Sequence, residues 1–249
     1  MKIDMITFSV NEKNEYTRFW NPISKFLKTK LGVDSAVLYT GKEDINLSEE
    51  YGDVHKIYCG DDIPTYLSSI WGYFWISSLY PDKTCMTSGI DMCILDLDYF
   101  NKQIESFDDS SYVVMNADGY NPVSNFKNGT STIPSYYHVA KGQTFKNILQ
   151  FESDFVDEIN KFNSLDYSNR YNGYSDNSSS FLKETSVENG GKWCLDEMYS
   201  SDMIRDYKNK ESIKLLSMSN SGNVDYHFHK PYPPEETLEE IMNNLLQHV

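Results

Sequence analysis

The stretch Thr84–Phe100, TCMTSGIDMCILDLDYF, carries the decision about the fold. A short apolar run ends in the small residues Ser88 and Gly89. An acid follows among apolar neighbours, Ile90-Asp91-Met92, and the stretch closes on Asp96-Leu97-Asp98 before Tyr99-Phe100. A carboxylate at the end of a buried strand is costly unless it meets a cation, a donor or a ligand. Two candidates compete for that acid: Asp91, or the pair Asp96 and Asp98. Acids at a helix start are favoured by the helix dipole, which gives the pair a purely structural explanation.

Working outward, Lys2–Val10 predicts a buried first strand. Phe19, Trp20, Ile23, Phe26 and Leu27 recur at helical spacing within Tyr16–Leu31, with Pro22 in the opening turns and Gly32 as the stop. Ser35–Tyr39 and Val54–Tyr58 predict two further strands. A β-α-β opening implies a parallel sheet with helices on its faces. Asp61-Asp62-Ile63-Pro64 marks the start of a helix over Thr65–Tyr80, apolar nearly all round and therefore sandwiched, and Thr84 opens the next strand.

Downstream, the pattern predicts a helix over Phe100–Phe107 and a strand over Tyr112–Asn116. Ala117–Pro134 reads as loop, Ser135–Ala140 as a turn, and Gly142–Phe155 as a helix. The polar, tyrosine-studded segment 163–192 has the length and composition of a functional loop. Then come a helix over Trp193–Tyr207, a strand over Ile213–Met218, and a final helix over Glu235–Leu246 after Asp225–Pro234. With no internal repeat and no linker, 1–249 is expected to be one α/β domain, its mostly parallel central sheet carrying helices on both faces.

The chain has 249 residues, enough to bury a sizeable core. It contains no apolar run of the ~18 residues a membrane span needs. Its opening, MKIDMITFSV, lacks the pattern of a signal peptide, so a cytoplasmic location is expected. Acids outnumber bases 37 to 22, for a net charge of -15, and no Lys/Arg cluster is visible, which excludes a nucleic-acid-binding face. Small anionic substrates remain open, through helix N-termini or a bound metal. The four cysteines form no C-x-x-C pair and are expected to be free buried thiols.

Three polar knots carry candidate chemistry: Ser88-Gly89-Ile90-Asp91, Asp196-Glu197, and Asp225-Tyr226-His227-Phe228-His229. In an open α/β sheet, ligands bind beyond the carboxyl ends of the strands. A carboxylate, an imidazole and phosphate oxygens suit Mg2+ or Mn2+. Each knot also has a structural explanation. Asp91 can cap a turn, Asp196 and Glu197 can be helix N-terminal charges, and a lone histidine is more often structural than a ligand. On a strand, His227 and His229 point to opposite faces, so at most one is expected to face a site. No G-x-S-x-G, P-loop or G-x-G-x-x-G is present.

The order of these parts resembles the GT-A-type glycosyltransferases, the nucleotide-diphospho-sugar transferase fold, and more narrowly their small bacterial, phage and large-virus members. The family pattern S-D-I-D-M-x-P-L followed by an aromatic pair is matched by Ser88-Gly89-Ile90-Asp91-Met92-Cys93-Ile94-Leu95 and Tyr99-Phe100. Y-x-x-A-K-G-x-T-F is matched by Tyr137–Phe145, W-x-x-D-E by Trp193–Glu197, and a late D-x-H before P-Y by Asp225, His227, Pro231 and Tyr232. The resemblance implies a nucleotide-binding half over 1–105 and an acceptor-binding half over 106–249. It implies that Thr7, Ser9, Tyr39, Ser88, Gly89, Ile90 and Asp91 contact a UDP- or GDP-sugar. Asp91 and His227 would hold Mn2+ or Mg2+, with His229 as substitute for His227. Asp196 or Glu197 would activate a hydroxyl of a glycan or other acceptor. This chain departs from the pattern at Gly89, where the family has the first acid of its D-x-D motif.

The expected function is therefore metal-dependent glycosyl transfer. The alternatives are a catalytically silent nucleotide- or glycan-binding module of the same fold and, less favoured, a nucleotidyltransferase. The last normally has a glycine-rich phosphate loop after the first strand, where this chain has Ser9-Val10-Asn11-Glu12. Donor sugar, acceptor, stereochemistry and oligomeric state are not encoded in these patterns.

Overall fold

The first strand lies inside the sheet, not at an edge, and nearly every residue from Met5 to Asn11 is buried on one face or the other. A computed structural model describes residues 1–61, 63–129, 131–165, 194–218 and 222–248. The expected tyrosine-rich loop from 166 onward, and Trp193, lie outside the described residues. The strands are β1 (Met5–Asn11), β2 (Asp34–Gly41), β3 (Asp53–Tyr58), β4 (Thr84–Thr87) and β5 (Met92–Ile94), then β6 (Tyr112–Val114), β7 (His138–Lys141), β8 (Ile213–Leu215) and β9 (Asp225–His227). Seven of them form one sheet in the order β3-β2-β1-β4-β7-β6-β8, and β5 pairs with β9 in a separate two-stranded sheet. The pairs β1–β2, β2–β3, β1–β4 and β6–β8 are parallel. Strand β7 runs antiparallel to both β4 and β6. The sheet is thus mixed α/β and mostly parallel, as expected, with one reversed strand that the sequence pattern did not reveal.

Helices cover both faces. They are α1 (Asn14–Thr17), α2 (Trp20–Phe26), α3 (Thr65–Ser78), α4 (Leu97–Ile104), α5 (Val123–Lys127), α6 (Gly142–Leu149), α7 (Phe155–Asn163), α8 (Leu195–Asp206) and α9 (Glu235–Leu246). Strand residues alternate between the two faces because side chains on a strand have a period of two. Ile6, Phe8, Val10, Val37 and Met86 pack with Phe19, Trp20, Phe100, Leu238 and Met242. Met5, Ala36, Leu38 and Cys85 pack with Trp71, Phe74, Phe145, Phe162 and Met198 on the other side. Trp71 is the hub of the second face, stacked on Phe162 at 4.8 Å and edge-on to Phe74 and Phe151. Among the described residues, no helix is long and apolar enough to cross a membrane. All four cysteines are free and buried.

Several boundaries differ from the sequence expectation for identifiable reasons. The helix expected over Tyr16–Leu31 is α1, α2 and a wider π turn over Leu27–Leu31, and it stops at Gly32, whose φ of 65° needs no Cβ to be accommodated. The helix expected over Gly142–Phe155 breaks at Gln150, which is left-handed with φ 55°. A new helix, α7, then starts where the Asp154 side chain accepts a bond from the Asp157 N–H. The expected loop Ala117–Pro134 contains α5, five residues long and too short to show a period. Asp96 is the N-cap of α4, accepting from Tyr99 N at 2.9 Å, so the Asp96/Asp98 pair has its structural explanation. Strand β4 ends at Thr87, and Asp91 stands in the turn between β4 and β5.

The start of α6 packs directly on the end of α3. A Cβ on Gly142 would lie 2.3 Å from the Tyr80 carbonyl oxygen and 2.5 Å from that of Ser77, both rigid backbone atoms. Gly142→Ala is therefore expected to lower unfolding stability by about 2 kcal/mol, as overpacking does, measured by urea denaturation; an unchanged midpoint would refute this close approach.

Candidate functional site

From β1 the chain moves outward through β2 to β3, then returns to place β4 on the opposite side of β1. That reversal opens a crevice at the carboxyl ends of β1 and β4, the position where open α/β sheets bind ligands. The segment after β1 leads into α1 and α2, and the segment after β4 is Ser88-Gly89-Ile90-Asp91.

Asp91 meets its partners through the small sheet. Strand β5 pairs with β9 so that Met92 faces His227, and Phe228 N donates to the Asp91 carbonyl at 2.9 Å. This brings the His227 Nε2 to 3.4 Å from Asp91 Oδ2, which also accepts the Tyr232 hydroxyl at 2.7 Å. Burial pushes the Asp91 carboxyl up, but the bonds from His227 and Tyr232 outweigh it and hold the group below the usual carboxylate range. Reciprocally, Asp91 raises the His227 imidazole, against the opposing effect of partial burial. His229 follows the end of β9, so strand alternation does not apply to it. Its ring lies 4.8 Å from that of His227, side by side rather than on the opposite face.

Gly89 abuts the same carboxylate. A Cβ there would stand 3.1 Å from Asp91 Oδ1. Among the described residues, no side chain bonds Oδ1, so the glycine keeps that oxygen clear. Ser88 and Ile90 are buried, the serine hydroxyl donating to the Gly89 carbonyl at 3.2 Å.

Asp196 and Glu197 open α8, and both are buried. Asp196 Oδ2 accepts the hydroxyl of Tyr73 from α3 at 2.5 Å, and Glu197 Oε1 accepts that of Tyr120 at 2.5 Å. Glu197 Oε2 is buried without a hydrogen-bond partner. The Cys194 thiol and the Ser135 backbone favour the charged form of Glu197 without giving Oε2 a bond of ordinary geometry. Burial pushes both carboxyls up, and the Asp196 charge raises Glu197 further, so the pair holds a proton that exposed carboxylates would have lost.

The two acidic groups share one neighbourhood. Thr87, the last residue of β4, donates to the Ser135 carbonyl at 3.3 Å, and the Ser135 hydroxyl supports Asp196. Tyr136, next in the chain, is kept protonated first by burial and then by the charges of Glu197, Asp225 and Asp91. Tyr137 donates to Asp225 at 2.5 Å and so ties β9 to the same loop.

The remaining expected contacts lie elsewhere. The Thr7 hydroxyl is buried and shares a proton with Ser77 at 2.7 Å. Ser9 donates to the Leu38 carbonyl, and the buried Tyr39 donates to the Glu43 carbonyl at 2.6 Å. None of the three is brought to Asp91. Conversely, sequence reasoning assigned no role to Tyr73, Tyr120 or Tyr232. Only Tyr232 had a signal, its place in the Pro231-Tyr232 motif.

Asp91 and His227 are a hard oxygen donor and an imidazole, suited to Mg2+ or Mn2+. Among the described residues, no group of three or more His, Cys, Asp or Glu stands together. The pair fits a cation that takes most of its ligands from a phosphate group and water, as Mg2+ commonly does, and does not fit a protein-enclosed ion.

No family model matches the chain, and no curated protein is similar to it. Among solved structures it is similar to the galactosyltransferase LgtC in complex with donor and acceptor sugar analogs, at TM-score 0.45 and 10% identity over 96% of this chain and 95% of that one. A structure of an active-site mutant of LgtC is similar at TM-score 0.46, with the same identity and coverage. The likeness is one of chain path.

The raised carboxyl of Glu197 makes stability depend on pH. Its ordinary value is 4.5, so above that pH the unfolded chain loses a proton that the folded chain keeps. The folded state then binds more protons, and stability falls with rising pH until Glu197 ionises in the fold as well. Glu197→Gln is expected to match the wild type near pH 4 and to exceed it above pH 8. The gain is about 1.4 kcal/mol for each pH unit over which only the unfolded chain is ionised. Denaturation curves across that range test it, and parallel pH profiles for the two proteins would contradict the assignment.

Proposed function

We propose that the protein is a glycosyltransferase that moves a sugar from a nucleotide-diphosphate donor to an acceptor hydroxyl. The single observation that carries the reading is the pairing of Asp91 with His227 at the switch-point crevice, next to a buried acid pair. Asp91 is partly buried and held ionised by His227 and Tyr232, while Asp196 and Glu197 are buried at a cost that a substrate would offset.

In this reading, Asp91 and His227 hold a divalent cation on the donor diphosphate. When bound, the cation neutralises charge on the departing nucleotide. The acceptor oxygen forms a bond to the anomeric carbon as the carbon–oxygen bond to the diphosphate breaks, and the electron pair leaves with the nucleotide. Glu197 takes the hydroxyl proton. Its raised affinity for a proton makes it a stronger base than an exposed carboxylate when it is ionised, and Oε2 is the oxygen without a competing partner. Tyr120 fixes Oε1, and Tyr73 holds Asp196 alongside, where its charge raises Glu197. Residues 1–105 supply the donor side and residues 106–249 most of the acceptor side.

Gly89 favours a second reading, a silent binding module that kept the crevice without the first motif acid. Release of free sugar from nucleotide sugars by the purified protein separates the two. A module binds without turnover.

The leading reading predicts that UDP or GDP binding, followed by calorimetry, strengthens on adding Mn2+ or Mg2+. Asp91→Ala and His227→Ala are each expected to weaken metal-dependent binding by at least tenfold. They should leave metal-free binding within about twofold. Nucleotide affinity that is identical with metal and with chelator would remove the metal role.

A further inference from the structure

One more charged group stands beside the crevice. Arg18 lies at the junction of α1 and α2, in the segment that leaves the carboxyl end of β1. Its guanidinium carbon sits 5.8 Å from the ring centre of Phe19 and 5.8 Å from that of Tyr232, the same tyrosine whose hydroxyl bonds Asp91. Two aromatic faces hold a guanidinium well, because its plane stacks on them and it is weakly hydrated. They supply no hydrogen bond in return. Arg18 Nε is buried with no hydrogen-bond partner, and among the described residues the side chain donates no bond at all.

The neighbouring charges are already matched. Glu15, close enough to feel Arg18, accepts from Lys230 at 2.8 Å. His227 faces Asp91. Arg18 itself is in no ion pair with a described residue. The residue as a whole is only partly buried, so its Nε is shut away while the rest of the guanidinium stays open to a ligand, and its planar fork fits two oxygens of one anion.

We infer that Arg18 is a substrate-binding residue that takes an oxyanion, a phosphate or a sugar carboxylate, at the β1 side of the crevice. The inference rests on the glycosyl-transfer reading for the identity of the substrate. A phosphate would come from the donor diphosphate, and a carboxylate from an acidic sugar on donor or acceptor. Arg18 touches neither acid of the buried pair, so its role is binding and orientation. Rings on two sides fix the fork before the anion arrives, which lowers the ordering cost of the contact.

The test is calorimetric titration of the full chain with inorganic pyrophosphate and, separately, with glucuronate. Wild-type protein is expected to bind one of them, and the one it binds names the source of the oxyanion. Arg18→Gln should weaken that binding at least tenfold. Arg18→Lys should fall between, since it keeps the charge and loses the fork. Arg18→Gln should also melt no lower than the wild type, because it removes an unpaired buried donor. If it does unfold, the Arg18→Lys comparison carries the test. Equal affinity in wild type and Arg18→Gln, or no binding of either anion by the wild type, would overturn the inference. Nucleotide sugars that fail to bind while pyrophosphate binding still depends on Arg18 would overturn the glycosyl-transfer reading and leave this site standing.

Discussion

The backbone bond from Phe228 N to the Asp91 carbonyl, with the ladder of β5 and β9 behind it, is the constraint on which the site depends. It brings together segments far apart in the chain, so that His227 meets Asp91 across 136 residues of sequence. Three backbone pairs set the register, Met92 against His227, Cys93 against Tyr226 and Ile94 against Asp225. A slip of one residue would turn His227 away from Asp91, since neighbouring side chains on a strand face opposite ways. The ladder is short, so its register is reinforced by side chains. Phe228 packs against Phe19, Tyr137 bonds Asp225, and Tyr232 bonds Asp91.

Much of this was legible in the sequence, and what was not has physical causes. The β-α-β opening was legible because β1 and β2 are buried on both faces and carry apolar runs, Met5-Ile6 with Phe8 and Val10 in one and Ala36–Tyr39 in the other. The final helix was legible to the residue, since Pro234 and two glutamates mark its start. The β5–β9 ladder was not, because three-residue strands have no detectable period and their pairing is entirely long-range. The reversal of β7 was also hidden. Ser135–Ala140 read as a turn, because the four residues His138–Lys141 are too few to show a strand period, and direction in a sheet is a property of connections.

The site shows the same division. Asp91 was legible as an acid among apolar residues, and Asp96 and Asp98 could be set aside because a helix start accounts for them. The tyrosines that hold the acids were not. Tyr73 sits within a helix that is aromatic along much of its length, and nothing local separates it from Tyr66 or Trp75. Its role follows only from Asp196 arriving opposite it. Thr7 and Tyr39 are the converse: their chemistry suits a polar site, while alternation along β1 and β2 turns them into the two cores, where short internal bonds use their hydroxyls.

Buried polar atoms almost always find partners, so each exception requires an account. Four such side-chain atoms occur among the described residues: Arg18 Nε, Ser35 Oγ, Ser131 Oγ and Glu197 Oε2. Ser35 lies under Gly52, whose added Cβ would be 2.6 Å from its Oγ, so close packing accounts for it. Two of the others carry formal charge in their usual states, and both flank the crevice, one on the β1 side and one beyond β4. They do not meet in the fold. Instead each is held apart by aromatic neighbours, Phe19 and Tyr232 for the arginine, Tyr120 and Tyr136 for the glutamate. Each therefore leaves one buried polar atom unmatched by the fold, a cost that a ligand can offset. A ligand that brings an anion to one side and a hydroxyl to the other satisfies both at once.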